Sequence, residues 1–117
     1  MADHVYFVLS SPPEGVSDGE YDRWYDGHAR EILTLPGWVA AERFALDFIR
    51  SSPSGPAPYR FYTRYEIEGD FDTAMRELRE AVDSGRMPFP DWFASVRSAG
   101  WECVQIGERI EAGAEGP

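Results

Sequence analysis

The sequence predicts one α+β domain of ferredoxin-like topology, a four-stranded antiparallel sheet with two helices on one face. Three observations lead there. The chain has 117 residues, enough for one domain and no more. Four stretches are rich in apolar and aromatic strand formers, and two others carry apolar residues at steps of three and four. Their order is β-α-β-β-α-β, which two right-handed βαβ units fold into such a sheet.

The first strand reads from His4 to Ser10 and stops at the turn cluster Ser11-Pro12-Pro13-Glu14-Gly15. Ser17 or Asp18 caps the helix that follows, and Glu20, three residues after Ser17, fits a capping box. That helix is expected from about Gly19 to Leu35. Tyr21, Trp24, Tyr25, His28, Ile32 and Leu35 form one stripe along it, and Pro36-Gly37 ends it. Trp38 to Ile49 reads as a long aromatic second strand. Ser51 to Pro58, with three prolines, three serines and a glycine, reads as a mobile hairpin loop, and Tyr59 to Ile67 as the third strand. Asp70 or Asp72 starts a second helix with Phe71, Ala74, Met75, Leu78 and Val82 on its apolar stripe, and Ser84-Gly85 stops it. Pro88 and Pro90 forbid regular pairing over Arg86 to Asp91, after which Asp91 can cap a short turn through Trp92, Phe93 and Ala94. The last strand lies within Ser95 to Ile110, with a bulge expected at Gly100 or Gly107. The domain therefore spans residues 1–110, and residues 111–117 read as a flexible tail.

Helices on one side of a sheet leave the other side facing water, so the strands of a monomer alternate apolar and polar residues. These strands do not do so cleanly. In the second, Trp38, Ala40, Glu42, Phe44, Leu46 and Phe48 oppose Val39, Ala41, Arg43, Ala45, Asp47 and Ile49. In the third, Tyr59, Phe61, Thr63, Tyr65 and Ile67 oppose Arg60, Tyr62, Arg64 and Glu66. In the first, Tyr6 and Val8 oppose Val5, Phe7 and Leu9. Apolar side chains on both faces call for two coverings, and a second copy packed sheet on sheet supplies the second. The expected partner is the chain itself, as a homodimer.

The formal charge is −10, from 21 acidic against 11 basic residues. Phosphate backbones and anionic membranes both require a basic face, so neither nucleic acid nor a membrane surface is an expected partner. The N-terminus lacks a basic segment followed by an apolar run, and nothing approaches the ~18 apolar residues of a membrane span, so a cytoplasmic location is expected. Cys103 is the only cysteine. It excludes an intramolecular disulfide and a thiolate zinc site, and its alternating surroundings predict a buried, unreactive side chain. His4 and His28 lack the spacing of a metal site, and no nucleotide-binding or serine-hydrolase motif appears, so neither metal nor organic cofactor is expected.

Trp24-Tyr25-Asp26-Gly27-His28, Ile32-Leu33, Leu35-Pro36-Gly37-Trp38-Val39 and Glu42-Arg43-Phe44 together resemble the dimeric α/β-barrel superfamily, and within it the EthD-like proteins. The resemblance runs over Tyr21 to Phe44 and extends by element order to about Ile110. It implies a dimeric ferredoxin-like domain with a crevice between helices and sheet. The superfamily includes cofactor-free monooxygenases, lactone isomerases, haem enzymes and proteins without known activity.

His28 is the first candidate for chemistry. It shares the apolar stripe with Trp24, Tyr25 and Ile32, where a neutral imidazole can act as general base or acid. The same position also suits a packed histidine bonded to a carbonyl or a tyrosine. Arg43 is second, since a partly buried guanidinium needs an anion, which Asp26, Glu31 or an anionic substrate oxygen can supply. Trp24, Tyr25, Tyr6, Trp38 and Tyr65 can line an aromatic pocket for a small apolar, aromatic or polyketide-like molecule, or form plain core. The expected function is a small-molecule enzyme of oxygenase, isomerase or lyase type, with His28 and Arg43 catalytic. The alternative is a ligand-binding or accessory dimer.

Overall fold

The computed structural model describes residues 4–46 and 53–113. Its elements are β1 (His4–Ser11), α1 (Asp18–Ile32), β2 (Trp38–Ala45), β3 (Phe61–Ile67), α2 (Phe71–Asp83), a short 3-10 turn (Asp91–Ser95) and β4 (Arg97–Val104). The four strands form one antiparallel sheet in the order β2-β3-β1-β4. This is the ferredoxin-like α+β fold. Consecutive elements β1-α1-β2 and β3-α2-β4 each step over one intervening strand, which places both helices on the same face.

Local chemistry sets the helix ends. Ser17 caps α1, its Oγ accepting from the Glu20 amide at 3.0 Å. Asp70 caps α2, accepting from the Thr73 amide at 2.9 Å and the Thr73 hydroxyl at 2.7 Å. The first helix stops at Ile32 rather than Leu35. Pro36 drives the residue before it out of the helical region. The chain tightens accordingly into short-range bonds, Thr34 N–H to Glu31 O at 3.1 Å and Leu35 N–H to Ile32 O at 3.0 Å. Gly37 then turns the chain with φ +91°, and a Cβ there would meet the Ala74 Cβ and the Glu68 carbonyl at 3.4 Å.

The helix face of the sheet carries the core: Tyr21, Ile32, Trp38, Tyr65, Ile67, Ala74 and Ala81 are buried between the layers. The Trp38 indole N–H donates to the Ala74 carbonyl at 2.9 Å and ties β2 to α2. The register slips between Trp38 and Ala40, a bulge that leaves Val39 as the extra residue. This bulge corrects the strand phases read from sequence. Strict alternation sets Trp38 and Arg43 on opposite faces. The slip brings Trp38, Ala41 and Arg43 to the helix side and turns Ala40, Glu42 and Phe44 outward.

The last strand is shorter than expected, and its glycine has a different role. β4 pairs with β1 without a break through Gly100 and ends where Val104 meets His4. Residues 105–113 leave the sheet, with Ile106 and Ile110 almost wholly exposed. Gly100 makes room for a neighbour: a Cβ there would lie 2.6 Å from the Tyr6 hydroxyl. Cys103 is exposed, contrary to expectation, because it points outward from an edge strand on the face no helix covers. β3 begins at Phe61, two residues later than predicted. The predicted end of β2 and part of the hairpin loop lie in residues 47–52, outside the described residues, as do residues 114–117 of the expected tail. No described helix is long and apolar enough to cross a membrane.

The uncovered face carries an aromatic row that crosses all four strands. Phe44 stacks on Tyr62 at 5.2 Å between ring centroids, Tyr62 meets Phe7 at 4.5 Å, and Phe7 meets Trp101 at 5.8 Å. Phe44 and Trp101, at its ends, are about half exposed, 45% and 52%.

Candidate functional site

Between the helix layer and the sheet lies a cavity of about 150 Å³. Helix α1 supplies Tyr21, Tyr25, His28 and Ile32, spaced so that one face of the helix points inward. The sheet supplies Tyr6, Val8 and Ser10 from β1, Tyr65 from β3 and Ser98 from β4. Leu78 of α2, with Phe93 and Val96 at the 3-10 turn, completes the wall. Ser98 and Phe93 are exposed, which places the mouth beside β4 and that turn.

His28 is held by aromatic packing. Its ring stacks on Trp24 at 4.8 Å and 12°, meets Tyr25 edge-on at 5.7 Å and contacts Phe89 at 5.4 Å. Burial in these surroundings pushes its pKa down to about 4, because the imidazolium would lose its water without gaining a counter-charge. His28 is therefore neutral at pH 7, and its Nδ1 is buried without a hydrogen-bond partner. The hydroxyls of Tyr21 and Ser10 are likewise buried and make no well-formed hydrogen bond within the protein. Burial raises the Tyr21 pKa to about 12, partly offset by the neighbouring Ser10 hydroxyl. Burial also raises Tyr65, whose hydroxyl reaches that of Tyr25 at 3.4 Å, and Tyr6. The phenols consequently stay protonated at neutral pH.

His28, Tyr21 and Ser10 line this cavity together with Tyr6, Tyr25, Tyr65 and Ser98, so polar side chains stand among its apolar ones. Such a wall can accept a proton at His28 and donate hydrogen bonds from its phenol and serine hydroxyls. Among the described residues, no three His, Cys, Asp or Glu side chains gather as a metal site would require.

Of the residues singled out in the sequence, the structure brings His28, Tyr25, Tyr6 and Tyr65 to the cavity. Trp24 stands behind His28 as its stacking partner, and Trp38 is structural, its indole N–H spent on the Ala74 carbonyl. Arg43 lies outside the cavity wall, in a surface groove with Asp22, Asp26 and Arg30. Its anion is Asp22, not Asp26 or Glu31; Asp26 pairs with Arg30 at 2.9 Å. The guanidinium lies over the Tyr25 ring, 4.5 Å from its centroid, so Tyr25 touches both His28 and Arg43. Arg43 Nε and Nη2 are buried and unpartnered. Sequence reasoning missed Tyr21 and Ser10 as site residues. Tyr21 precedes His28 by seven positions, two helical turns, and that spacing is a signal for a shared face. Ser10 gives no such signal until its strand is paired.

No family model and no curated protein matches the sequence. Solved structures do match the fold. A protein of Arabidopsis thaliana, At3g17210, superposes with a TM-score of 0.66 at 14% identity, over 92% of this chain and 99% of that one. A candidate monooxygenase from Shewanella loihica PV-4 gives 0.54 at 14% identity, over 92% and 99%. An EthD family protein from Bacillus halodurans C-125 gives 0.55 at 16% identity, over 94% and 100%. At these identities the likeness establishes the shared ferredoxin-like fold over nearly the whole of each chain.

Proposed function

We propose that the protein is a small-molecule enzyme that removes a proton from an apolar aromatic substrate held in the cavity between helices and sheet, working without metal or organic cofactor. The observation that carries this reading is a neutral His28 set in the wall of one cavity beside phenol and serine side chains. His28 takes the proton. Phenol and serine hydroxyls of the wall donate to the oxygen on which negative charge develops. A neutral substrate enters a neutral cavity, so these interactions strengthen as charge separates, which is where they accelerate a reaction. Oxygenation, isomerisation and elimination all begin with such a proton removal. The fold shared with a candidate monooxygenase and an EthD family protein agrees with this class of chemistry.

The working form is a homodimer joined through the uncovered sheet face, where the row Phe44, Tyr62, Phe7 and Trp101 meets its copy. A second reading is a binding or accessory dimer, favoured by one observation: a pKa near 4 makes His28 a weak base. Hydrogen–deuterium exchange of cavity-sized aromatic ketones and phenols, followed by mass spectrometry, separates the two. The enzyme reading expects exchange that falls about 100-fold or more in His28→Ala with its circular dichroism unchanged. Equal exchange in both proteins refutes the mechanism, and binding without any exchange leaves the accessory reading.

A further inference from the structure

We infer that the cavity selects a neutral, single-ring molecule bearing one hydroxyl or carbonyl oxygen, and rejects both carboxylated rings and fused-ring compounds. This rests on the reading of the cavity as the substrate site and narrows its substrate class. The size limit comes first. A cavity of about 150 Å³ matches the volume that holds one benzene ring in an apolar protein interior, so a second fused ring would have to stand in the mouth, without apolar cover. Charge comes next. Among the described residues, no Asp, Glu, Lys or Arg lines the wall. Burial keeps Tyr21, Tyr6 and Tyr65 protonated and His28 uncharged, so none of these compensates a carboxylate stripped of water. Arg43 reaches the Tyr25 ring, but its charge is met by Asp22 and it stands outside the wall.

The polar requirement follows from the same wall. An unsubstituted ring would leave the polar side chains of the wall, His28, Tyr6, Tyr65 and Ser98 among them, without a bond to the occupant. A site built to bond an oxygen rejects the analogue that lacks it more strongly than it rejects a change in apolar bulk. One hydroxyl can donate to an imidazole nitrogen while accepting from a phenol or serine hydroxyl.

The test is calorimetric titration of the full chain at pH 7 with phenol, benzene, benzoate and 2-naphthol, with the His28 imidazole followed by NMR. His28→Gln assigns the His28 signal against that of His4. Phenol is expected to bind about tenfold or more tightly than each of the other three while shifting the His28 signal. Benzoate binding as well as phenol overturns the charge rule, 2-naphthol binding as well overturns the size limit, and benzene binding as well overturns the polar requirement. In each of those cases a shifted His28 signal leaves the cavity itself standing as a ligand site. Phenol binding that leaves His28 unmoved, or no binding by any of the four, overturns the selectivity and the reading of the cavity together.

Discussion

His28 shows how a single residue acquires its chemistry from its neighbours. Its place on the apolar stripe of α1 is visible in the spacing from Trp24 to Ile32, but the depression of its pKa to about 4 depends on Phe89, far along the chain, and on closure of the sheet beneath it. That depression has a consequence for stability. An unfolded chain takes up the proton near the ordinary value of 6.5, whereas the folded protein resists until about 4. Between those values the unfolded state binds more protons, so stability falls as pH falls, and the contribution is whole above 6.5. The loss reaches at most about 3 kcal/mol by pH 4. Urea titrations at pH 7 and pH 4.5 should show wild type losing most of that amount relative to His28→Gln, whose own acid loss reports the carboxylates. Equal losses in the two proteins would mean that His28 is solvated in the fold. Arg43 marks the limit of residue-level reading. Its partial burial is legible from its apolar neighbours, yet its partner Asp22 is not, because the pairing depends on a bulge four residues earlier.

At the scale of elements, most of the fold is legible because the signals are local. The Ser17 and Asp70 caps, the Pro36-Gly37 stop and the two helical stripes each lie within one turn of the residues they govern. What escapes is non-local: the slip at Val39, the end of β4 at Val104 and the room Gly100 leaves for Tyr6 all depend on which strand lies alongside. Gly27 tests the local side of this division. It sits inside α1, exposed, with nothing within 4 Å of where a Cβ would stand, and the mouth of the cavity does not include it. Glycine there costs the helix backbone entropy without any packing return. Gly27→Ala should stabilise the protein by about 0.5–1 kcal/mol, read as a rise in thermal midpoint. A fall would show that the backbone at Gly27 needs a freedom the helical geometry does not reveal.

The whole molecule poses a problem that one chain does not solve. Its helices cover one face of the sheet, while Phe44, Tyr62, Phe7 and Trp101 form a continuous aromatic row across the other. Two protomers each carrying −10 repel at long range, so a face that joins them must itself be nearly neutral. The outward positions meet that condition: Arg64 and Arg97 stand there with Glu42 and Glu66, two charges of each sign, and Arg64 is already paired with both glutamates. In the dimer proposed above, apolar contact drives association, and salt screens the remaining repulsion instead of breaking the contact. Sedimentation should therefore find a dimer at micromolar concentration that persists, or tightens, as sodium chloride is raised. Placing glutamate at both ends of the row, Phe44→Glu with Trp101→Glu, adds like charges that would face each other across the interface while leaving the buried core untouched. That variant should remain folded and weaken dimerisation by more than about 30-fold, the loss expected when anchoring aromatic residues are removed. A wild-type monomer, or a dimer indifferent to both substitutions, would place the covering of this face elsewhere.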